Sequence, residues 1–86
     1  MSSEYRVFLT PRALKELQQL PLQLRRRVAK AIDRLAREGR HAGVRKLGIT
    51  GWRVRVGDYH ILFDIDDESR TIVIYRIRHR REAYRA

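Results

Sequence analysis

Two arginines and a histidine on neighbouring predicted strands are the residues of this sequence best suited to chemistry on a phosphate. Arg53 and Arg55 stand two apart in WRVRV, so on a β-strand their side chains project from the same face. Guanidinium is planar and always charged, and it binds a phosphate through two parallel hydrogen bonds. His60 follows on the next strand, and an imidazole can take up or release a proton near neutral pH. Together these side chains would clamp a phosphate and move a proton; the alternative is a solvated basic face without chemistry.

A two-residue turn at Gly57-Asp58 would fix how these two strands pair. It predicts that Arg55 faces His60 and that Arg53 faces Leu62. The same register gathers an apolar set on the other face of the hairpin: Trp52, Val54, Val56, Tyr59, Ile61 and Phe63. We therefore expect the apolar face to contribute to the core, and the face with the arginines to remain uncovered by the rest of the chain.

Hydrophobic periodicity predicts the elements around this hairpin. A period of two predicts a strand over residues 4–10, and a run of β-branched residues predicts another over 70–78. Thr10-Pro11 is typical of a helix start, with threonine as the N-cap and proline at the first helical position. Pro21 interrupts that helix, and Gly39 ends a second, amphipathic helix.

The order of these elements predicts the fold class. Residues 41–51 are interrupted by glycines and are predicted to form a loop, with a short extended piece over 44–47. The predicted fold is α+β: a small antiparallel β-sheet, made of the N-terminal strand and a three-stranded meander, packed on two N-terminal helices. We expect one domain with a thin core over residues 1–86.

The composition favours a polyanionic partner. The sequence has 20 basic and 10 acidic residues, a formal net charge of +10, and its basic residues are all arginine except Lys15, Lys30 and Lys46. Such a charge attracts nucleic acid or an acidic protein over about 8 Å at physiological salt. An arginine-rich proteome would explain the preference for arginine over lysine, but not the excess of positive charge.

Other functional classes find little support in the sequence. It has no cysteine, which excludes disulfides and thiolate metal sites, and its histidines and carboxylates lack the spacing of metal ligands. We therefore expect no metal and no small-molecule cofactor. No segment has the pattern of a signal peptide, and none approaches the ~18 apolar residues of a membrane span. These features lead us to expect a cytoplasmic protein without a membrane partner.

Four segments, in order along the chain, resemble the RelE-like toxins of type II toxin–antitoxin systems: TPRALKELQQLP, RRRVAKAIDRL, VRKLGITGWRVRVGDYHILFDID and RIRHRREAYR. The most specific parts are WRVRVGDY and the terminal HRREAY. The resemblance implies the fold predicted above and a cognate antitoxin that blocks the toxin. It also implies an endoribonuclease that cuts mRNA on the ribosome, without a metal, when a ribose 2′-hydroxyl attacks the adjacent phosphate.

The resemblance also implies a catalytic set of Arg53, Arg55, His60, Arg80 and Tyr84, with the tyrosine stacking on or near an mRNA base. Family members often have lysines at the paired positions, and commonly arginine where this sequence has His60. Because arginine does not give up its proton, we expect the three arginines to hold the phosphate and His60 to transfer a proton. The alternative is that His60 only makes a hydrogen bond within the sheet.

Five further basic residues are expected to contact RNA or the ribosome: Arg45, Lys46, Arg76, Arg78 and Arg81. Two other functions stay open at this point. One is a ParE-type toxin, which inhibits DNA gyrase and lacks the basic cluster; the other is a degenerate family member that only binds its antitoxin or RNA. The basic pair and the terminal motif favour the nuclease.

Overall fold

Two helices cover one face of a five-stranded sheet in the computed structural model, which describes residues 4–49 and 51–79. The elements are β1 (Arg6–Leu9), α1 (Pro11–Gln18), α2 (Leu22–Glu38), β2 (Val44–Lys46), β3 (Trp52–Val56), β4 (Tyr59–Asp66) and β5 (Thr71–His79). The strands lie in the order β1-β5-β4-β3-β2. This arrangement confirms the α+β class and the packing of the sheet on two N-terminal helices.

Both helices begin or end at the residues that the sequence indicated. The hydroxyl of Thr10 accepts a hydrogen bond from the backbone N–H of Ala13, and Pro11 is the first helical residue of α1. α2 ends at Gly39, whose φ of 63° favours glycine. A Cβ on Gly39 would lie only 2.6 Å from the ring of Tyr5, so this glycine also allows the N-terminal segment to approach the end of α2.

The core lies between the helices and the apolar face of the sheet. Ala13 on α1, and Val28 and Leu35 on α2, are fully buried against it. The sheet contributes Val44, Val54, Val56, Ile61, Phe63, Ile72, Ile74 and Ile77. Burial of these side chains stabilises the fold by roughly 25 cal/mol per Å² of apolar surface removed from water, and it fixes which face of the β3–β4 hairpin meets the helices.

The predicted hairpin register is confirmed. Arg55 pairs with His60, Arg53 pairs with Leu62, and Trp52 pairs with Phe63 across the Gly57-Asp58 turn. Because residues opposite each other share a face, Arg53, Arg55 and His60 all project from the face that the helices do not cover.

The prediction of an antiparallel sheet is wrong for the N-terminal strand. β1 runs parallel to β5, with Leu9 opposite Ile74, so the sheet is mixed. The chain between β1 and β5 contains both helices and strands β2 to β4, so it is long enough for the crossover that a parallel pair requires. The short extended piece predicted over residues 44–47 is confirmed as the edge strand β2, which pairs antiparallel with β3.

A β-bulge in β5 was not predicted. Leu62 of β4 pairs with Arg76, but the next residue, Phe63, pairs with Ile74, so Tyr75 is an extra residue on β5. The phenolic oxygen of Tyr75 would lie 3.1 Å from a Cβ placed on Gly51, the residue before β3. The Tyr75 side chain therefore crosses β4, and it shields part of the face that the sequence suggested would be uncovered.

Glu16 of α1 covers an edge of β5 that no strand occupies. Beyond the end of β1, its Oε1 accepts a hydrogen bond of 2.7 Å from the backbone N–H of Ile77. Its Oε2 lies 2.9 Å from Nη2 of Arg76, and about a fifth of each side chain in this ion pair is exposed. One carboxylate thus satisfies a strand N–H and a guanidinium together.

We expect Glu16→Ala to destabilise the protein by about 2–3 kcal/mol, because it leaves a largely buried guanidinium and a strand N–H without their acceptor. Denaturation in urea measures this change. Glu38→Ala is the matched control, because Glu38 forms an exposed i,i+4 pair with Arg34 and should contribute about 0.5 kcal/mol or less. Equal losses in the two variants would contradict the role of Glu16.

Candidate functional site

Basic side chains occupy neighbouring positions on four strands, on the face away from the helices. One row across β3, β4 and β5 consists of Arg55, His60 and Arg78, because these residues pair in register. Arg53 lies in the next row of β3, and Arg45 of β2 pairs with it. The strand register therefore brings residues that are distant in sequence to one patch.

This patch contains a depression of about 270 Å³, which we call the basic pocket. Its lining residues are Gly43, Arg45, Arg53, Arg55 and His60. None of these lining residues is acidic, so the pocket concentrates positive charge beside one titratable imidazole. Of the predicted catalytic residues, the structure thus brings Arg53, Arg55 and His60 together.

Backbone carbonyls hold two of the guanidinium groups in place. Nη1 of Arg45 donates to the carbonyls of Ala42 and Val44, at 2.7 and 3.2 Å. Nε of Arg55 donates to the carbonyl of Gly57 at 2.8 Å. Within residues 4–49 and 51–79, neither arginine pairs with a carboxylate. Their charge is therefore oriented by the backbone and remains able to attract an anion.

His60 is far less exposed than an uncovered face would leave it. Only 2% of its surface is exposed, and Leu62 two positions later is 8% exposed. The expectation that nothing in the chain covers this face is therefore wrong at its centre. His60 lies in register between Arg55 and Arg78, and the stems of such long basic side chains bury neighbouring surface while their charged ends stay in water.

The predicted RNA contacts are distributed unevenly. Arg45 lines the basic pocket, and Arg78 lies beside His60 with a buried Nε that makes no hydrogen bond to a described residue. Arg76 is engaged by Glu16. Lys46 shares the helix-covered face with Trp52, where its Nζ lies 4.6 Å from the centre of the indole ring. Arg80, Arg81 and Tyr84 lie outside the described residues.

Trp52, predicted as a core residue, packs against the core but is only half-buried. The guanidinium of Arg40 also lies 4.6 Å from its ring centre, in addition to Lys46. Arg40 binds Asp67 at 2.9 Å, and the Tyr5 hydroxyl donates to the same carboxylate oxygen. Hydrogen bonds from Arg40 and Tyr5 lower the pKa of Asp67. The cations at this end of the molecule are thus engaged in contacts within the protein.

His41 supports the loop that forms one wall of the basic pocket. Its Nδ1 accepts a hydrogen bond of 3.0 Å from the backbone N–H of Gly43. Burial, and secondarily the positive charge of Arg34, lower the pKa of His41 below its ordinary value of 6.5. The neutral imidazole is the form that can accept this bond, and no pattern in the sequence had indicated this role.

We expect acid to weaken the fold through His41. Because its pKa is lower in the folded state, the unfolded chain takes up a proton first, so stability is full above pH 6.5 and declines as the pH falls below it. Thermal unfolding followed from about pH 7.5 to about pH 5.5 should therefore show a smaller decline in His41→Asn, which keeps an acceptor but does not titrate. Identical pH profiles for the two proteins would contradict this assignment.

The described part of the chain has no group of three or more histidine, aspartate or glutamate side chains placed to hold a metal ion. Among the same residues, neither helix has the length and apolar composition needed to cross a bilayer.

Comparison with known proteins gives consistent matches along nearly the whole chain. A family model described as "ParE toxin of type II toxin-antitoxin system, parDE" matches residues 7–84. Toxin RelG of Mycobacterium tuberculosis (strain ATCC 25618 / H37Rv) is 38% identical over 85 residues, which cover 94% of this chain and 97% of that protein.

Two solved structures of toxin–antitoxin complexes are also similar. One is the RelBE2 complex from Mycobacterium tuberculosis, with 33% identity, a TM-score of 0.78, and coverage of 90% of this chain and 99% of that chain. The other is the archaeal RelE-RelB complex from Pyrococcus horikoshii OT3, with 31% identity, a TM-score of 0.80, and coverage of 96% and 99%. The likeness therefore extends to the arrangement of strands that forms the basic pocket.

Proposed function

Because the chain belongs to the RelE/ParE superfamily of toxins from type II toxin–antitoxin systems, we propose that its single domain is an endoribonuclease that cuts mRNA on the ribosome and so inhibits translation. Family membership confirms the resemblance drawn from the sequence. The nuclease activity, its substrate and its place of action in the cytoplasm are the proposal.

The observation that carries this proposal is the composition of the basic pocket. Three guanidinium groups and one imidazole line a depression of about 270 Å³ that has no acidic lining residue. Guanidinium groups bind phosphate through paired hydrogen bonds, and an imidazole adds a group that can accept a proton. Binding an anion alone would not require the imidazole, whereas cleavage at a ribose 2′-hydroxyl requires both functions.

The proposed reaction assigns each group a task. His60 accepts the proton of the 2′-hydroxyl while the 2′ oxygen attacks the adjacent phosphorus. Arg53 and Arg55 stabilise the negative charge that develops on the phosphorane oxygens. The bond from phosphorus to the 5′ oxygen breaks, the 5′ oxygen takes up a proton from water, and the products are a 2′,3′-cyclic phosphate and a 5′-hydroxyl. The guanidinium groups supply the positive charge, so the proposed step uses no metal ion.

A cognate antitoxin is the expected protein partner. Two of the similar structures are toxins bound to antitoxins, in the RelBE2 and the archaeal RelE-RelB complexes. The formal net charge of +10 would favour an antitoxin with acidic segments. We propose the ribosome and mRNA as the targets of the free toxin.

Inhibition of DNA gyrase is the second candidate, because the matching family model is described as a ParE toxin. The two functions make opposite predictions in a cell-free translation extract that contains a defined mRNA. We expect the purified toxin to stop protein synthesis and to leave cuts that follow the codons, as mapped by primer extension. Undiminished synthesis with intact mRNA, together with inhibition of purified gyrase, would overturn the nuclease assignment in favour of the second candidate.

A further inference from the structure

A second cleft lies at the tip of the β3–β4 hairpin, next to the basic pocket. We call it the hairpin-tip cleft; its volume is about 630 Å³. Its lining residues are Pro21, Gln23, Leu24, Arg27, Arg55, Gly57, Asp58, Tyr59 and His79. The basic pocket opens on the uncovered face of the hairpin, whereas this cleft lies between the hairpin tip and α2. Arg55 lines both depressions, so a polymer in the basic pocket would reach the cleft by passing around the tip at Arg55.

Two guanidinium groups approach the hairpin tip from different elements. Arg55 reaches it from β3 and donates to the carbonyl of Gly57. Arg27 reaches it from α2, where its Nη1 would lie 3.4 Å from a Cβ placed on Gly57. Gly57 has a φ of 58° and no side chain, which allows this close approach. The cleft therefore has a cationic rim at the hairpin tip, around Gly57.

The lining of the cleft also includes an aromatic and apolar wall. The ring of Tyr59 packs edge to face against His79, with their centres 5.2 Å apart. Leu24 and Pro21 of the α2 segment add apolar surface, and Gln23 and Asp58 add hydrogen-bonding groups. An aromatic face stacks on any nucleobase, and amide or carboxylate groups bind the edges of bases.

We propose that the hairpin-tip cleft binds the nucleotide adjoining the scissile phosphate, with its base against Tyr59 and its own phosphate between Arg27 and Arg55. This inference rests on the proposed function, because it assumes that RNA occupies the basic pocket. The cleft is large enough for a nucleotide and combines the cationic rim and the aromatic wall that a nucleotide requires. Its hydrogen-bonding groups would then contribute to base preference.

A trinucleotide carrying 2′-O-methyl groups tests the cleft directly, because it cannot be cleaved. Its affinity for the toxin is measured by calorimetry at low salt, for wild type, Arg27→Ala and Arg26→Ala. Arg26 is an exposed neighbour on α2 that does not line the cleft. Its replacement by alanine is therefore the control, because it removes the same charge as Arg27→Ala without changing the cleft. We expect Arg27→Ala to weaken binding about tenfold, since it removes a charge-assisted hydrogen bond, and Arg26→Ala to weaken it less than about twofold.

Tyr59→Leu and Tyr59→Phe test the stacking wall in the same assay. Phenylalanine keeps the aromatic face, so we expect near wild-type affinity, whereas leucine should weaken binding about tenfold. Circular dichroism confirms that each variant is folded. The proposal that the cleft binds a nucleotide would be wrong if the Arg27 and Arg26 variants bind the trinucleotide with equal affinity, or if wild type does not bind it at millimolar concentration.

The test of the hairpin-tip cleft can fail independently of the test of the nuclease proposal. If wild type cuts mRNA in phase with the codons and Arg27→Ala has no effect on trinucleotide binding, the cleft proposal is wrong and the nuclease proposal stands. If trinucleotide binding depends on Arg27 but the protein leaves mRNA intact in the extract, the nuclease proposal is wrong and the cleft remains a nucleotide-binding site.

Discussion

Replacing Arg53 and Arg55 together by alanine is expected to slow mRNA cleavage in a translation extract by at least about 100-fold. Both side chains line the basic pocket, and loss of one donor to a developing oxyanion typically costs 10²–10³ in rate. Cleavage is followed by primer extension under single-turnover conditions, so that a slower chemical step is distinguished from slower product release. A thermal melt shows whether the variant remains folded.

The matched control removes the same charge elsewhere. Arg26 and Arg37 are exposed on α2 and do not line the basic pocket, so their double replacement by alanine should change cleavage only a few-fold, through weaker long-range attraction to RNA. If both double variants slow cleavage equally, the effect belongs to net charge and not to the pocket. The pair Arg53→Lys and Arg55→Lys adds a graded test, because lysine keeps the charge but not the bidentate geometry.

His60→Gln is expected to reduce the cleavage rate by about 10²–10⁴, the usual contribution of a positioned general acid or base. Glutamine fills much of the space of the imidazole and can still form hydrogen bonds, but it cannot accept a proton at neutral pH. The volume matters because His60 is only 2% exposed, and alanine would leave a cavity. A glutamine variant that cleaves at the wild-type rate would end the proton-transfer role.

His60→Arg separates proton transfer from charge stabilisation. Arginine adds a permanent charge beside Arg55 but does not titrate near neutrality. If His60 transfers a proton, the arginine variant should cleave mRNA at least about 100-fold more slowly than wild type, because arginine cannot accept the proton. Full activity in His60→Arg would assign this position to phosphate binding alone.

The parts of the fold that could be predicted are those that short sequence segments specify. The hairpin register followed from a two-residue turn and a period of two. It is confirmed at every pair of the hairpin, from Trp52 with Phe63 to Val56 with Tyr59. The start of α1 followed from Thr10 and Pro11, since a cap is a local hydrogen bond. This local information also sufficed to place Arg53, Arg55 and His60 on one face.

Features that depend on distant partners could not be predicted in this way. The hydrophobic pattern of β1 is the same whether its neighbour runs parallel or antiparallel, so only tertiary packing decides its direction. The bulge at Tyr75 adds one residue between buried Ile74 and Ile77, which a strict alternation does not foresee. Glu16 is ordinary in a helical pattern, and its role on β5 appears only once α1 lies along that edge.

The candidate site shows the same limit. Composition and spacing identified the arginines, but net charge does not say which cations face a ligand and which stabilise the fold. Arg76 is bound by Glu16, and Lys46 lies over Trp52, because strand alternation places it on the opposite face from Arg45. The approach of Arg27 to Gly57 depends on packing between α2 and the hairpin, which no motif in the sequence marks. The hydrogen bond from Gly43 to His41 is local to one loop, but no pattern in the sequence had indicated it either.

The parallel pairing of β1 with β5 has a consequence for how this protein is made. Within residues 4–49 and 51–79, the strand that is synthesised first, β1, pairs with the strand that is synthesised last, β5, with Arg6 opposite Thr71 and Leu9 opposite Ile74. Contacts of such long sequence separation form late, because the loop between them must close before they contribute. β1 can therefore join the sheet only after β5 has been translated, so the described sheet is completed late in synthesis.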